Sequence, residues 1–198
     1  LRRQMRGGSD RRGLRKPLIV MTPKSLLRHP KVISTVADLT EGVFLPVLGD
    51  HTVTDPSTIR KILVCSGKIY YELLAARESR KATDSTAAGI AIVRIEQLYP
   101  FPEAEFAEVL KRYPAASAVV WAQEEPRNMG AWRFIDERLR LLLNPSGREL
   151  RYIGRAESAS PATGSGKHHQ EEQAAIMSEA MEETPVLQSR RVRRVSRR

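Results

Sequence analysis

Short apolar runs alternate with amphipathic stretches along most of this chain, and that alternation restricts the fold more than any other feature. Ile62–Cys65, Ile90–Ile95, Ala118–Ala122 and Leu150–Ile153 are mostly apolar runs of four to six residues. They have the length and character of strands buried on both faces. Between and after them, mostly apolar residues recur at spacings of three and four, which is the period of a helix with one buried face. The sets are Tyr70, Leu73, Leu74 and Arg77; Phe106, Val109, Leu110 and Tyr113; Trp132, Ile135, Leu139 and Leu142; and Gln173, Ile176, Met177 and Ala180. Ser66-Gly67, Pro100-Phe101-Pro102, and Pro145 with Gly147 supply the breaks. Asn128 reads as the cap of the helix carrying Trp132, and the last helix is expected over about 168–183.

Upstream, Pro17–Met21 is a further apolar run, and Pro23 is suited to open a short helix that His29-Pro30 would close. Residues 31–60 read as irregular, broken by Gly42, Pro46, Gly49 and Pro56. Strands alternating with helices predict an α/β fold, a three-layer sandwich of about five mostly parallel strands with helices on both faces. Ligands usually bind at the carboxyl ends of such strands. Here those loops are Thr22–Ser25, Ser66–Lys68, Glu96–Phe101, Gln123–Asn128 and Gly154–Gly166.

Composition matters mainly through where the charge lies. The formal net charge is +10. Residues 1–16 hold seven basic residues against Asp10, and residues 184–198 hold six arginines and no acid. The segment between is close to neutral, so the basic excess sits where no core is expected, and nucleic-acid binding is not expected as a main function. The expected organisation is a basic linker over 1–14, one domain over 15–183 and a basic, disordered tail over 184–198. No apolar run approaches transmembrane length. The N-terminus has neither an initiator Met nor a signal-like apolar stretch, as expected of a piece of something longer. The single Cys65 excludes an internal disulfide and a cysteine-based zinc site, and suits a reducing compartment.

Several groups invite a chemical reading, and each has a plainer alternative. Ser66-Gly67-Lys68 at a strand-to-helix turn offers amides and a cation for phosphate, but matches neither the P-loop nor the dinucleotide fingerprint. Glu124-Glu125 in Gln123–Pro126 is a carboxylate pair, but neighbours on extended backbone point apart. A Glu pairing with Arg94 or Arg127, or capping the next helix, is the expected use. His168-His169, expected in a loop before the last helix, lacks the partners of a zinc site. Cys65 inside a strand reads as a buried, inert thiol. The hydroxyl-rich loop Ser158–Ser165 contains no G-x-S-x-G elbow. No catalytic set assembles.

Five segments together resemble one family: RKPLIVMTPKSLLRHP (Arg15–Pro30), CSGKIYYEL (Cys65–Leu73), AIVRIEQLYPFP (Ala91–Pro102), WAQEEPRNMGAW (Trp121–Trp132) and RYIGRAESASPATG (Arg151–Gly164). The resemblance is to the transketolase-type C-terminal domain of the first, decarboxylating component of 2-oxoglutarate dehydrogenase. It runs over about residues 1–182. The Gly7–Gly13 insertion and the Arg-rich tail depart from the pattern. The same domain of a 2-oxoadipate dehydrogenase is one alternative, and a free anion-binding interaction module using the basic tails is another.

The resemblance implies a mixed sheet with one antiparallel strand. It implies an enzyme that uses thiamine diphosphate and magnesium and transfers a succinyl group to the lipoyl groups of dihydrolipoyl succinyltransferase. It implies a homodimer, in the mitochondrial matrix or the bacterial cytoplasm. The family's thiamine motif begins G-D-G and ends in an Asn-Asn pair. Here Gly49-Asp50 is followed by His51, and Asn128 and Asn144 are the only asparagines. The cofactor is therefore expected outside this chain, which alone should be inactive, with no catalytic, cofactor or metal residue assigned. A nucleotide effector, AMP or acetyl-CoA, is expected to bind this domain, with Lys24, Arg28, Ser66, Lys68 and Gln123 as candidate contacts.

Overall fold

The computed structural model describes residues 19–182. The expected linker over 1–14 and tail over 184–198 lie outside the described residues. The chain divides into two units between Glu41 and Gly42.

In the first unit, Lys24–Leu26 is a single 3-10 turn that follows Pro23. The helix α1, Val36–Thr40, is set by a capping box in which Thr35 accepts from the Asp38 amide and Asp38 accepts from the Thr35 amide. The strand expected at Leu18–Met21 does not form. Leu18 is outside the described residues, and Ile19, Val20 and Met21 have no regular structure and are exposed. A short apolar run is strand-like only if a neighbouring strand takes up its amides and carbonyls, and this one has no such neighbour among the described residues.

The second unit holds the sheet. Its strands are β1 (Val47–Leu48), β2 (Lys61–Cys65), β3 (Ile90–Ile95), β4 (Ala118–Pro126) and β5 (Glu149–Arg155). Its helices are α2 (Ile69–Lys81), α3 (Glu103–Lys111), α4 (Trp132–Leu143) and α5 (Gly166–Met181). The strand order is β1-β3-β2-β4-β5, with β1 antiparallel to β3 and every other pair parallel. The fifth strand is thus β1, two residues inside the stretch read as irregular, and not the run at Leu18–Met21.

The right-handed crossover rule decides which face each helix covers. The step from β2 to β3 goes one way across the sheet, and the steps β3 to β4 and β4 to β5 go the other way. Helix α2 therefore lies on one face and α3 and α4 on the opposite one, and α5 returns to the α2 face. The core divides accordingly. Ile62, Val64, Val93, Val119 and Trp121 pack with Phe106, Leu110, Ile135 and Leu139. Leu63, Cys65, Ile92, Val120 and Ile153 pack with Ile69, Leu73, Ile176 and Ala180. Alternate residues of one strand serve opposite layers, as the pleat requires.

Asn128 does not cap α4. That helix starts from Ala131, and Asn128 instead exchanges two bonds with Ser158, Nδ2 to its carbonyl at 2.8 Å and Oδ1 from its amide at 3.0 Å. His168 and His169 lie in the first turn of α5, not in a loop, because Ser165 caps that helix through the His168 amide.

The edge by β1 depends on a buried ion pair. Asp50 and Arg77 are 3% and 0% exposed. The Arg77 guanidinium donates to the Asp50 carboxylate, to Thr52 Oγ1 at 2.6 Å and to the Ile90 carbonyl at 3.1 Å. Asp50 also accepts from the Ile92 amide at 2.9 Å, and from the amide and hydroxyl of Thr52 at 3.0 and 2.6 Å. Burial alone would raise the Asp50 pKa, but Arg77, Thr52 and the Ile92 amide together hold it below the ordinary carboxylate value.

Removing either partner leaves an uncompensated buried charge. Asp50→Asn and Arg77→Met are each expected to cost about 3–5 kcal/mol in urea unfolding, and the double variant less than the sum. Because the folded Asp50 pKa is depressed, its contribution is complete above the unfolded value near ~3.9 and is lost as pH falls through the lower folded value. Asp50→Asn should flatten that acid limb.

Candidate functional site

The switch point of the sheet lies between β2 and β4, where the chain leaves one strand for one face and the other strand for the opposite face. A crevice of about 430 Å3 opens at the carboxyl ends of these two strands. Its walls are Ser66 and Gly67 from the β2 turn, Leu98 and Tyr99 from the loop after β3, Trp121, Gln123 and Glu125 from β4, and Gly130, Ala131 and Phe134 leading into α4. Gly67 has φ of 76°, a left-handed conformation that lets β2 turn directly into α2.

Gln123 is the scaffold of this crevice. It is 3% exposed. Its Oε1 accepts from Trp121 Nε1 at 2.9 Å and from the Trp132 amide at 3.1 Å. Its Nε2 donates to the carbonyls of Glu125 and Pro126, both at 3.2 Å, and of Met129 at 2.9 Å. One amide thus fixes the whole turn from β4 to α4. Gly130, with φ of 65°, brings its backbone against the Gln123 side chain. Gly154 on β5 is equally constrained, since a Cβ there would lie 2.7 Å from Tyr152 Cζ and 2.9 Å from the Gln123 carbonyl.

Lys68 is not a wall of the crevice. Its Nζ pairs with Glu124 and, at 3.2 Å, with Glu72. Partial burial would lower its pKa, but the two carboxylates outweigh that and raise it. Glu124 therefore pairs with Lys68, not with the expected Arg94 or Arg127, and Glu125 faces the crevice. Arg94 pairs with Glu96 at 2.9 Å and lies 4.4 Å over the Tyr70 ring. Glu72 in turn accepts from the buried Gln173 of α5 at 2.7 Å. Cys65 is fully buried, and burial pushes its thiol up to about 12, so it is not a nucleophile.

The structure thus brings Ser66 and Gln123 to one crevice and places Lys68 beside it in an ion-pair network. Lys24 and Arg28 belong to the first unit, where both are exposed. Tyr99 and Phe134, in edge contact at 6.4 Å, were not singled out in the sequence, although Tyr99 stands in the Leu-Tyr-Pro-Phe-Pro stretch.

A second cleft of about 410 Å3 lies under the hydroxyl-rich loop, between Arg155, Ser158, Ser160, Thr163, His168 and Glu172. Arg155 reaches Glu172 at 3.3 Å and His169 Nδ1 at 2.7 Å. Glu172 is held below the ordinary carboxylate value by the Thr163 hydroxyl first, and then by Arg155 and the neighbouring histidines. These contacts tie the loop to α5. Among the described residues, no group of three or more His, Cys, Asp or Glu is placed to hold a metal ion.

The chain belongs to the family described as 2-oxoglutarate dehydrogenase C-terminal, whose profile matches residues 33–181. It is 44% identical over 180 residues to the 2-oxoglutarate dehydrogenase E1 component of Cupriavidus necator, covering 91% of this chain and 18% of that protein. It is 47% identical over 171 residues to that of Azotobacter vinelandii, and 46% identical over 171 residues to that of Rickettsia typhi, covering 85% of this chain and 18% of each relative. The chain therefore spans about a fifth of the length of the curated relatives it matches. Neither the 2-oxoadipate alternative nor the free-module alternative finds support among them.

Replacing Gln123 with Leu orphans two donors and three carbonyls. It is expected to cost at least about 1–3 kcal/mol and to lower the thermal midpoint measured by circular dichroism. Gly154→Ala should cost a similar ~1–3 kcal/mol by overpacking against Tyr152.

Proposed function

We propose that this chain is the structural and regulatory C-terminal domain of a thiamine diphosphate-dependent 2-oxoglutarate dehydrogenase of the tricarboxylic acid cycle. The observation that carries the proposal is the pairing of coverages: nearly all of this chain aligns with E1 components, and it accounts for only 18% of their length. The parent enzyme would decarboxylate 2-oxoglutarate oxidatively and hand the succinyl group to the lipoyl groups of dihydrolipoyl succinyltransferase. It would work as a homodimer with thiamine diphosphate and magnesium. The named relatives are bacterial, which favours bacterial cytoplasm over mitochondrial matrix. No helix among the described residues is long and apolar enough to cross a membrane.

The Gly49-Asp50 pair does not fit the cofactor. Asp50, the acid that follows Gly49, has its carboxylate engaged by Arg77, Thr52 and the Ile92 amide, so it is not available as a magnesium ligand. Thiamine diphosphate is accordingly assigned to other modules of the parent chain. Titrating this chain calorimetrically with thiamine diphosphate and magnesium should give no micromolar binding and no 2-oxoglutarate decarboxylation. Micromolar binding would overturn that assignment.

The regulatory part of the proposal is an AMP or acetyl-CoA effector, with Ser66, Lys68 and Gln123 as its candidate residues in the sheet unit and Lys24 and Arg28 as candidates in the first unit. The switch-point crevice supports it, because Ser66 and Gln123 share its walls. A phosphate reaching Lys68 there would displace Glu124. Gln123 contributes by shaping the wall, since its amide is already fully bonded. In the full-length enzyme, Arg28→Ala should raise the nucleotide concentration for half-maximal activation by about tenfold. Lost turnover with an unchanged nucleotide response would assign Arg28 to packing instead.

A further inference from the structure

The segment entering β1 and the loop leaving β3 lie side by side, because the Pro46 carbonyl accepts from the amides of Glu96 at 2.9 Å and Gln97 at 3.2 Å. Both present apolar side chains to the outside. Val43, Phe44 and Leu45 are 74%, 60% and 51% exposed, and Tyr99 is 80% exposed. Tyr99 meets Phe134 at the lip of the crevice, so the loop leaving β3 carries its exposed ring at the switch point. The ends of α3 and α4 away from this edge carry surface ion pairs, Lys111 with Glu108 and Arg140 with Asp136, and a single exposed large apolar side chain, Leu141. A group of exposed aromatic and aliphatic side chains on one edge of the sheet unit marks an interaction surface.

We infer that this edge, Val43–Leu45 with Tyr99 and Phe134, is covered in the parent enzyme by an apolar face of the polypeptide that precedes this domain. The inference rests on the proposed function for the existence of that polypeptide. Two observations choose this occupant over a second copy of the chain. Some four-fifths of each aligned relative lies outside the aligned part, and the matched family is a C-terminal one. In addition, the patch is a handful of side chains, whereas an interface that holds two free copies needs about 20–30 residues a side. A contact within one chain needs no such area, because the tether supplies effective concentration.

The test is hydroxyl-radical footprinting of Phe44 and Tyr99 in this chain and in the full-length parent enzyme. Both side chains should be reactive in the isolated chain. Both should be protected by about tenfold in the parent, equally at every enzyme concentration. Equal reactivity in the two proteins overturns the inference. Protection that disappears on dilution overturns it in favour of a second copy. The paired substitution Phe44→Ser with Tyr99→Ser should leave the melting of the isolated chain unchanged, since both side chains are exposed there. In the parent it should raise amide exchange at Gly42–Pro46 and Glu96–Phe101, and unchanged exchange there also overturns the inference. The proposed function fails separately, if the parent shows no thiamine-dependent decarboxylation whatever the footprint.

Discussion

The Asp50–Arg77 pair is the contact on which the architecture of the β1 edge depends. Strand β1 has only two ladder positions, Val47 opposite Ile95 and Leu48 opposite Arg94. Continuing that register would set residue 50 opposite Ile92, and there the Asp50 carboxylate takes the Ile92 amide in place of a backbone carbonyl. A side chain therefore finishes the ladder that the backbone begins. A lone buried carboxylate would be costly, and Arg77 on α2 supplies the countercharge, so the helix that covers β2 and β3 also fixes the chain beyond β1. The Asp50 amide donates to the Tyr113 hydroxyl at 3.3 Å, which ties the same point to the end of α3 on the opposite face.

With that edge fixed, the remaining strands are parallel, and the crevice follows from topology. Strands β2 and β4 are neighbours whose following helices cover different faces, so their carboxyl ends must part. What fills the gap is set by side-chain chemistry. Gln123 is committed to the backbone of the β4 turn, Lys68 to Glu124 and Glu72, and Tyr99, Trp121 and Phe134 line the crevice together with Ser66 and Glu125. Such a place suits a bound group or a neighbouring surface.

The sheet was legible in the sequence because β2 to β5 each hold a short, mostly apolar run and helical periodicity separates these runs. Ile62–Cys65, Ile90–Ile95 and Ala118–Ala122 all lie inside the observed strands. Strand β1 was not legible, since two residues carry no period and its hold on β3 comes from Asp50 and Pro46. Leu18–Met21 misled for the converse reason: it has the composition of a strand, yet Ile19, Val20 and Met21 have no regular structure. Of the crevice, the loops could be named from strand ends, and Ser66 and Gln123 among their residues. The direction of Lys68 toward Glu124 could not, because that pair is 56 positions apart and depends on the strand order. Asn128 was misread for a similar reason, as its local pattern fits a cap and its actual partner, Ser158, is remote in sequence.

Lys61 adds a consequence of another kind. It begins β2, the central strand of the sheet, and its ammonium donates to the carbonyls of Ala180, at 2.8 Å, and Glu182. These are terminal carbonyls of α5 that no helical amide can reach. The strand that starts the parallel sheet is thus clasped to the helix that ends the described chain, across 119 positions. Gln173 and Glu72 make a second such link across 101. Until α5 has left the ribosome, the face formed by Leu63, Ile92 and Leu73 lacks Ile176 and Ala180 as cover. The domain therefore cannot close progressively as it is synthesised, and its last helix is the element that completes it.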